Sequence, residues 1–168
     1  MTASTIVNYK NLYFQVPDLT RIHGEPTYPQ LQLLLDQIKT NASSVPVQSD
    51  LGGGIHDHLG LGFSPEDYEE VSPGKPYDRP LMPAPLRIPS NTTIHETQRL
   101  QAEFKETRHF YRETGGGVEK ALAKQILAAI EKKYLQAIEN TITESITKHV
   151  PEVIQYLFDN YSQLSAQN

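Results

Sequence analysis

The chain has 168 residues, a length that fits one domain with its own core. It contains no cysteine, which excludes disulfides, thiolate zinc sites, zinc knuckles and thiol catalysis. Twenty acidic and fifteen basic side chains give a formal net charge of −5, which argues against a nucleic-acid-binding surface on this chain.

Targeting signals are absent from the visible sequence pattern. No apolar run approaches the roughly 18 residues that a membrane span needs, and the start MTASTIVNYK lacks the basic and apolar regions of a signal peptide. We therefore expect a soluble, intracellular, cytoplasmic protein with no membrane partner.

Residues 1–26 hold two short β-rich runs on either side of Lys10 and Asn11. This pattern predicts an N-terminal hairpin, or an extended arm that docks on a neighbouring copy. The alternative is a strap over the core of the same chain, because an isolated hairpin is marginally stable.

The pattern Thr27-Tyr28-Pro29-Gln30 is a capping box with proline in the first turn, and leucines follow it. It predicts a helix over 28–40, followed by a polar connection over 41–50.

The stretch 51–62 contains five glycines in twelve residues, which suits a backbone with positive φ or a close approach to another backbone. His56 and His58 lie two residues apart, so in an extended segment they would point the same way, as half of a metal site would require. No third ligand stands at a telling spacing. The competing interpretation is a structural loop, and we assign no metal ligand and no cofactor.

Ser64, Pro65 and the acids after them predict a short helix over 65–71. Six prolines fall within residues 72–90, which predicts an extended crossing of the surface. The apolar residues of this crossing are expected to be pinned to the core; they are Leu81, Met82, Leu86 and Ile88. The alternative is a proline-rich ligand for an aromatic groove.

Thr93 and Glu96 form a second capping box, which predicts a helix over 94–113 that ends before three consecutive glycines. Its basic residues are diluted by glutamates, which indicates a solvated face rather than a phosphate-binding strip. Apolar stripes predict further helices over 118–139, 142–148 and 151–161, with a polar tail over 162–168.

These elements predict an all-α fold, a small bundle of five to six helices over residues 27–161 with a proline- and glycine-rich loop region. The predicted core residues are Leu34, Leu100, Phe104, Leu122, Ile126, Ile130, Leu135, Ile154, Leu157 and Phe158.

Several motifs cover most of the chain, and the glycine–histidine loop is the most specific of them. They are Leu19-Thr20, Gly24-Glu25-Pro26-Thr27, Asn41-Ala42-Ser43-Ser44-Val45, Leu51 to Leu61, Pro83 to Pro89 leading into Thr92-Thr93, Val118 to Leu122, Tyr134-Leu135-x-Ala137, Asn140, Ile146 and Leu157-Phe158-x-x-Tyr161. Together these motifs resemble the Gag capsid region of Ty1/copia-like LTR retrotransposons, and most closely Gag-like sequences of algae and other aquatic eukaryotes. The chain departs from the family at Ile55 and Asp57, where the family often has small residues, and at Ser162, where it has glycine.

The resemblance implies an N-terminal capsid domain that self-associates into rings or a shell, a virus-like particle around the RNA of the element. RNA is expected to bind through regions outside this chain. The second capsid domain, the protease and the polymerase are also expected to lie outside it.

Exposed apolar and aromatic anchors are what such self-association needs. The candidate assembly contacts are Tyr9, Tyr13, Phe14, His56, His58, Leu59, Leu61 and Tyr68.

Two other functions compete with the capsid interpretation. One is a monomeric, domesticated Gag-like module that binds a peptide in a groove between helices. The other is an enzyme that uses His56, His58 and a carboxylate with a metal, but the sequence has no Ser-His-Asp or paired-carboxylate pattern. We therefore assign no catalytic residue and no enzymatic activity.

Overall fold

The structure is a computed structural model that describes residues 9–47, 53–79, 81–113, 115–140, 145–146 and 148–161. Its α-helices, in chain order, are α1 (Tyr9–Leu12), α2 (Tyr28–Ser44), α3 (Pro65–Val71), α4 (Ile94–Glu113), α5 (Gly115–Ala129) and α6 (Val150–Tyr161). Single 3-10 turns cover Leu59–Gly62 and Lys132–Tyr134. The prediction of an all-α bundle is confirmed.

The starts of α2, α3 and α4 follow from the predicted caps. The Thr27 N–H donates to Gln30 Oε1 at 3.0 Å, which closes the capping box of α2. Ser64 Oγ accepts the Asp67 N–H at 3.2 Å, and Thr93 Oγ1 accepts the Glu96 N–H at 3.2 Å. Each bond satisfies a backbone donor that the first turn of a helix leaves without a partner.

Helix α2 runs to Ser44, so the polar connection predicted from residue 41 is wrong over residues 41–44. Asn41 is fully buried. Its amide accepts the Val16 N–H at 2.9 Å and donates to the Val16 carbonyl at 2.9 Å and to Gln125 Oε1 at 3.0 Å. Gln125 in turn donates to the carbonyls of Val16 and Pro17 at 3.1 and 2.9 Å. Because these bonds satisfy the amides, the helix tolerates a buried asparagine.

The helix predicted over 118–139 begins at Gly115 and ends at Ala129. The prediction is therefore wrong for residues 130–139, and the three glycines belong to the first turn of α5. The Ala129 carbonyl accepts the Ile22 N–H at 2.8 Å, so a segment from the start of the chain occupies the end of α5. Leu135 and Ile138 lie in turns after the helix, and their side chains are nevertheless buried. This explains why the apolar pattern of the sequence continues beyond the end of α5.

The sequence also predicts a helix over 142–148. This prediction is wrong for the described residues of that range. Residues Ser145–Ile146 form the strand β2, which pairs antiparallel with β1 (Glu139–Asn140). Residues 142–144 and 147 lie outside the described residues.

The start of the described chain forms α1, a single helical turn, where the sequence predicted a hairpin. Tyr9 and Phe14 are buried in the core of their own chain, and residues 13–27 cross that core without forming a helix. The strap interpretation therefore fits this segment. Ile6, Val7 and the polar tail 162–168 lie outside the described residues.

The core lies between α2, α5 and α6, which pack against one another, with the Leu59–Gly62 turn against α2 and α6. Its members among the predicted core residues are Leu34, Leu122, Ile126, Ile130, Leu135, Ile154 and Leu157. Phe158 is half-buried against this core. Leu100 and Phe104 are only half-buried, and α4 contains no buried residue. The prediction that these two side chains lie in the core is therefore wrong.

The proline-rich crossing has no regular secondary structure over 81–89. Leu81 and Met82 are exposed, and Leu86 and Ile88 are half-buried. The prediction that these residues are pinned to the core is therefore wrong for Leu81 and Met82.

None of the helices in the described part of the chain is long and apolar enough to span a bilayer.

A matched pair of aspartate substitutions tests the packing. Leu157→Asp buries a carboxylate without a partner at a fully buried position, so we expect the domain to unfold. Leu81→Asp places the same charge on a side chain that is 80% exposed, so we expect the melting temperature of the parent. Circular dichroism during heating measures both. A Leu157→Asp protein that melts like the parent would contradict the helix packing.

Candidate functional site

The glycines of the predicted loop are needed because aromatic rings lie directly against the backbone. A Cβ atom added to Gly60 would overlap the ring of Tyr77, and one added to Gly54 would overlap the hydroxyl of Tyr68. The sequence predicted a positive φ or a close approach to another backbone. Gly53 has a positive φ of 125°, but the close neighbours of Gly54 and Gly60 are aromatic side chains and not another backbone. Asp57 has φ 56°, a left-handed conformation that aspartate tolerates better than most residues.

The two histidines of the loop occupy different environments. His56 is exposed, and its Nε2 lies 2.9 Å from the Val71 carbonyl oxygen. His58 is buried, and its Nδ1 lies 2.9 Å from the hydroxyl of Tyr77. The described residues hold no group of three or more His, Cys, Asp or Glu side chains that could bind a metal ion.

Burial lowers the pKa of His58 to about 4, although the nearby charge of Asp57 acts in the opposite direction. The folded chain therefore keeps this imidazole neutral at neutral pH. The unfolded chain takes up the proton near pH 6.5, about the ordinary pKa of histidine. Between about pH 6.5 and about pH 4 the unfolded state binds more protons, so the free energy of unfolding falls as the pH falls.

This shift predicts a loss of roughly 3 kcal/mol of stability across that window, with no further contribution from His58 below about pH 4. Urea denaturation between about pH 7 and about pH 4.5 measures it. His58→Gln removes the titrating group, so its free energy of unfolding should depend less on pH than that of the parent. His95→Gln, at an exposed position on α4, is the control and should keep the slope of the parent. Equal slopes for the parent and His58→Gln would contradict the assignment.

Most of the predicted assembly contacts lie in the interior. Five of them are at most 5% exposed; they are Tyr9, Phe14, His58, Leu61 and Tyr68. They fill the core or pack behind the glycine loop, so they are not available as surface anchors, and the prediction is wrong for them. Tyr13 and His56 are exposed and Leu59 is half-buried.

The surface that could receive a partner lies elsewhere, in residues 81–113, which we call the exposed segment. None of these consecutive residues is buried. Leu81 and Ile94 are 80% and 78% exposed, and Met82 and Phe110 are exposed as well. The apolar stripe of α4, formed by Leu100, Phe104 and Tyr111, is half-buried. The segment therefore carries apolar side chains that its own chain covers only in part.

Both ends of the exposed segment are held at the first turns of α5. At its start, Arg79 donates to Glu119 Oε2 at 2.7 Å, and His149 Nδ1 lies 2.6 Å from Glu119 Oε1. At its end, α4 stops at Glu113 and α5 begins at Gly115. A Cβ atom on Gly116 would overlap the Tyr111 ring, so glycine permits the close contact between the two helices.

The sequence carries a signal for this surface in the spacing of the apolar residues of α4. The helix α4 has twenty residues, a length of about 30 Å, but its apolar side chains are few and widely spaced. A helix in the core of a small domain carries a wider apolar stripe. The spacing therefore indicated a helix that the chain does not bury.

These features define a class of protein: a small all-α domain with an exposed helical segment whose two ends are held at the first turns of α5. No protein-family model, no curated protein and no solved structure matches the chain.

Proposed function

We propose that this chain is a structural capsid subunit of the Gag type, which associates with copies of itself into rings or a shell that encloses retroelement RNA. The resemblance of its motifs to copia-like Gag supplies the class. The observation that carries the proposal is the exposed segment, a long stretch of ordered chain without a buried side chain.

The free energy of ordering the exposed segment supports an external partner. Ordering a backbone costs roughly 1–2 kcal/mol for each residue, and burial of apolar surface is the main term that offsets this cost. The exposed segment offsets little of it within one chain, because all its apolar side chains stay at least partly in water. A partner that covers Leu81, Met82 and Ile94 would supply the missing burial.

A shell subunit needs only a few contacts in which a neighbouring copy covers exposed apolar side chains. Each contact can be weak, because a closed assembly repeats it many times. Large exposed apolar side chains beside charged ones are suited to such contacts. No residue needs a catalytic role in this function.

The competing function is a monomeric module that holds a peptide in a groove between helices. The cavity that could serve it lies between α2, α3 and α6 and is lined in part by Leu35, Phe63, Ile154 and Phe158, but its volume is only about 100 Å³. The two functions differ in oligomeric state, since the module stays monomeric.

Self-association of the whole chain tests the proposal. Sedimentation velocity over increasing protein concentration should show growing species, and electron micrographs of the concentrated protein should show rings or particles. Aspartate at Met82 and Ile94 should weaken this association, because it places charge on the exposed apolar side chains.

The matched control is Leu12→Asp, an exposed leucine outside the exposed segment, which should associate like the parent. All variants should keep the melting temperature of the parent. A parent chain that stays monomeric at every concentration would overturn the proposed function.

A further inference from the structure

We propose that the exposed segment of one copy docks on α3 of a second copy, with the basic side chains of the second half of α4 on the acidic surface of α3. This inference rests on the proposed self-association and assigns the two surfaces that meet.

The charge of the chain is divided between the exposed segment and the remainder. The exposed segment has five basic and four acidic side chains, whereas the remainder has ten basic and sixteen acidic ones. The exposed segment is thus the positive part of a negative protein. Its attraction is towards the rest of another copy and not towards a second exposed segment.

Within the exposed segment, the cationic side chains differ in their partners. Arg99 is engaged within α4, where it pairs with Glu96 and, at 2.8 Å, with Glu103. Arg108 and Arg112 lie one turn apart on the second half of α4, and both are exposed. Neither forms an ion pair with a described residue of its own chain. Phe110 between them is 38% exposed and adds apolar area to this part of the helix.

The most acidic exposed surface of the remainder is α3. Four of its seven residues are acidic and exposed; they are Glu66, Asp67, Glu69 and Glu70. The helix ends at Val71, which is 40% exposed. Its carbonyl oxygen accepts a hydrogen bond from His56 Nε2, which holds the loop beside it. Ile55 in that loop is 61% exposed. Acidic and apolar groups therefore lie side by side on α3, matching the basic and apolar groups of α4.

The two surfaces are different, so the contact between copies is head-to-tail. An open head-to-tail chain leaves one free α4 surface at one end and one free α3 surface at the other. Further copies can therefore add until a ring closes. A contact between identical surfaces would instead stop at a dimer.

Charge reversal of each surface tests the pairing in the full-length chain. The α4 variant is Arg108→Glu with Arg112→Glu, and the α3 variant is Glu66→Arg with Glu70→Arg. Each variant alone brings like charges together, so its self-association should weaken roughly tenfold or more by sedimentation velocity. An equimolar mixture should associate again, because the acidic α4 of one variant meets the basic α3 of the other, and the reverse pairing is complementary as well.

The matched control is Lys120→Glu with Lys124→Glu, an exposed pair on α5 with the same spacing as Arg108 and Arg112. It should associate like the parent, and circular dichroism should show the parent fold for every variant. Reversed variants that associate like the parent, a control that weakens association equally, or a mixture that does not associate would each overturn the inference. If the parent still forms particles in these cases, the proposed function stands without this pairing. A parent that stays monomeric overturns both.

Discussion

The buried amide pair of Asn41 and Gln125 connects three parts of the chain that are far apart in sequence. It joins α2 to α5. Both amides bond to the backbone of Val16, and Gln125 also donates to the Pro17 carbonyl. An unsatisfied buried amide would cost roughly 1–3 kcal/mol, so these groups hold their partners in one arrangement. The strap over residues 13–27 is therefore fixed on the helix pair by specific bonds and not by apolar contact alone.

Sequence patterns located the helices well where a local signal ends them. The bounds of α3 and α4 agree with the prediction, and Ser64 and Thr93 cap their starts as predicted. The patterns failed where a segment distant in sequence determines the end of a helix. The end of α5 is set by the Ile22 N–H, and the extra turn of α2 depends on the partners of Asn41. Neither contact leaves a trace in the local sequence.

The candidate site was predicted less well, for a physical reason. Exposed aromatic residues of an assembly surface and buried aromatic residues of a core look the same in a single sequence. The sequence predicts Tyr9 and Tyr68 as surface anchors, but their rings fill interior space, and burial raises the pKa of the Tyr9 hydroxyl. The exposed segment is harder to recognise in the sequence, because the signals of α4 are those of any regular helix and only its sparse apolar residues set it apart.

The attachment of the exposed segment has a consequence for how the chain can vary. The chain leaves near Arg79 and returns at Gly115, and both points lie at the first turns of α5. A segment whose two ends lie close together in the fold can become longer or shorter, or be exchanged, without moving the elements on either side. The fold of the domain should therefore tolerate insertions and deletions in the exposed segment better than in the chain between α5 and α6.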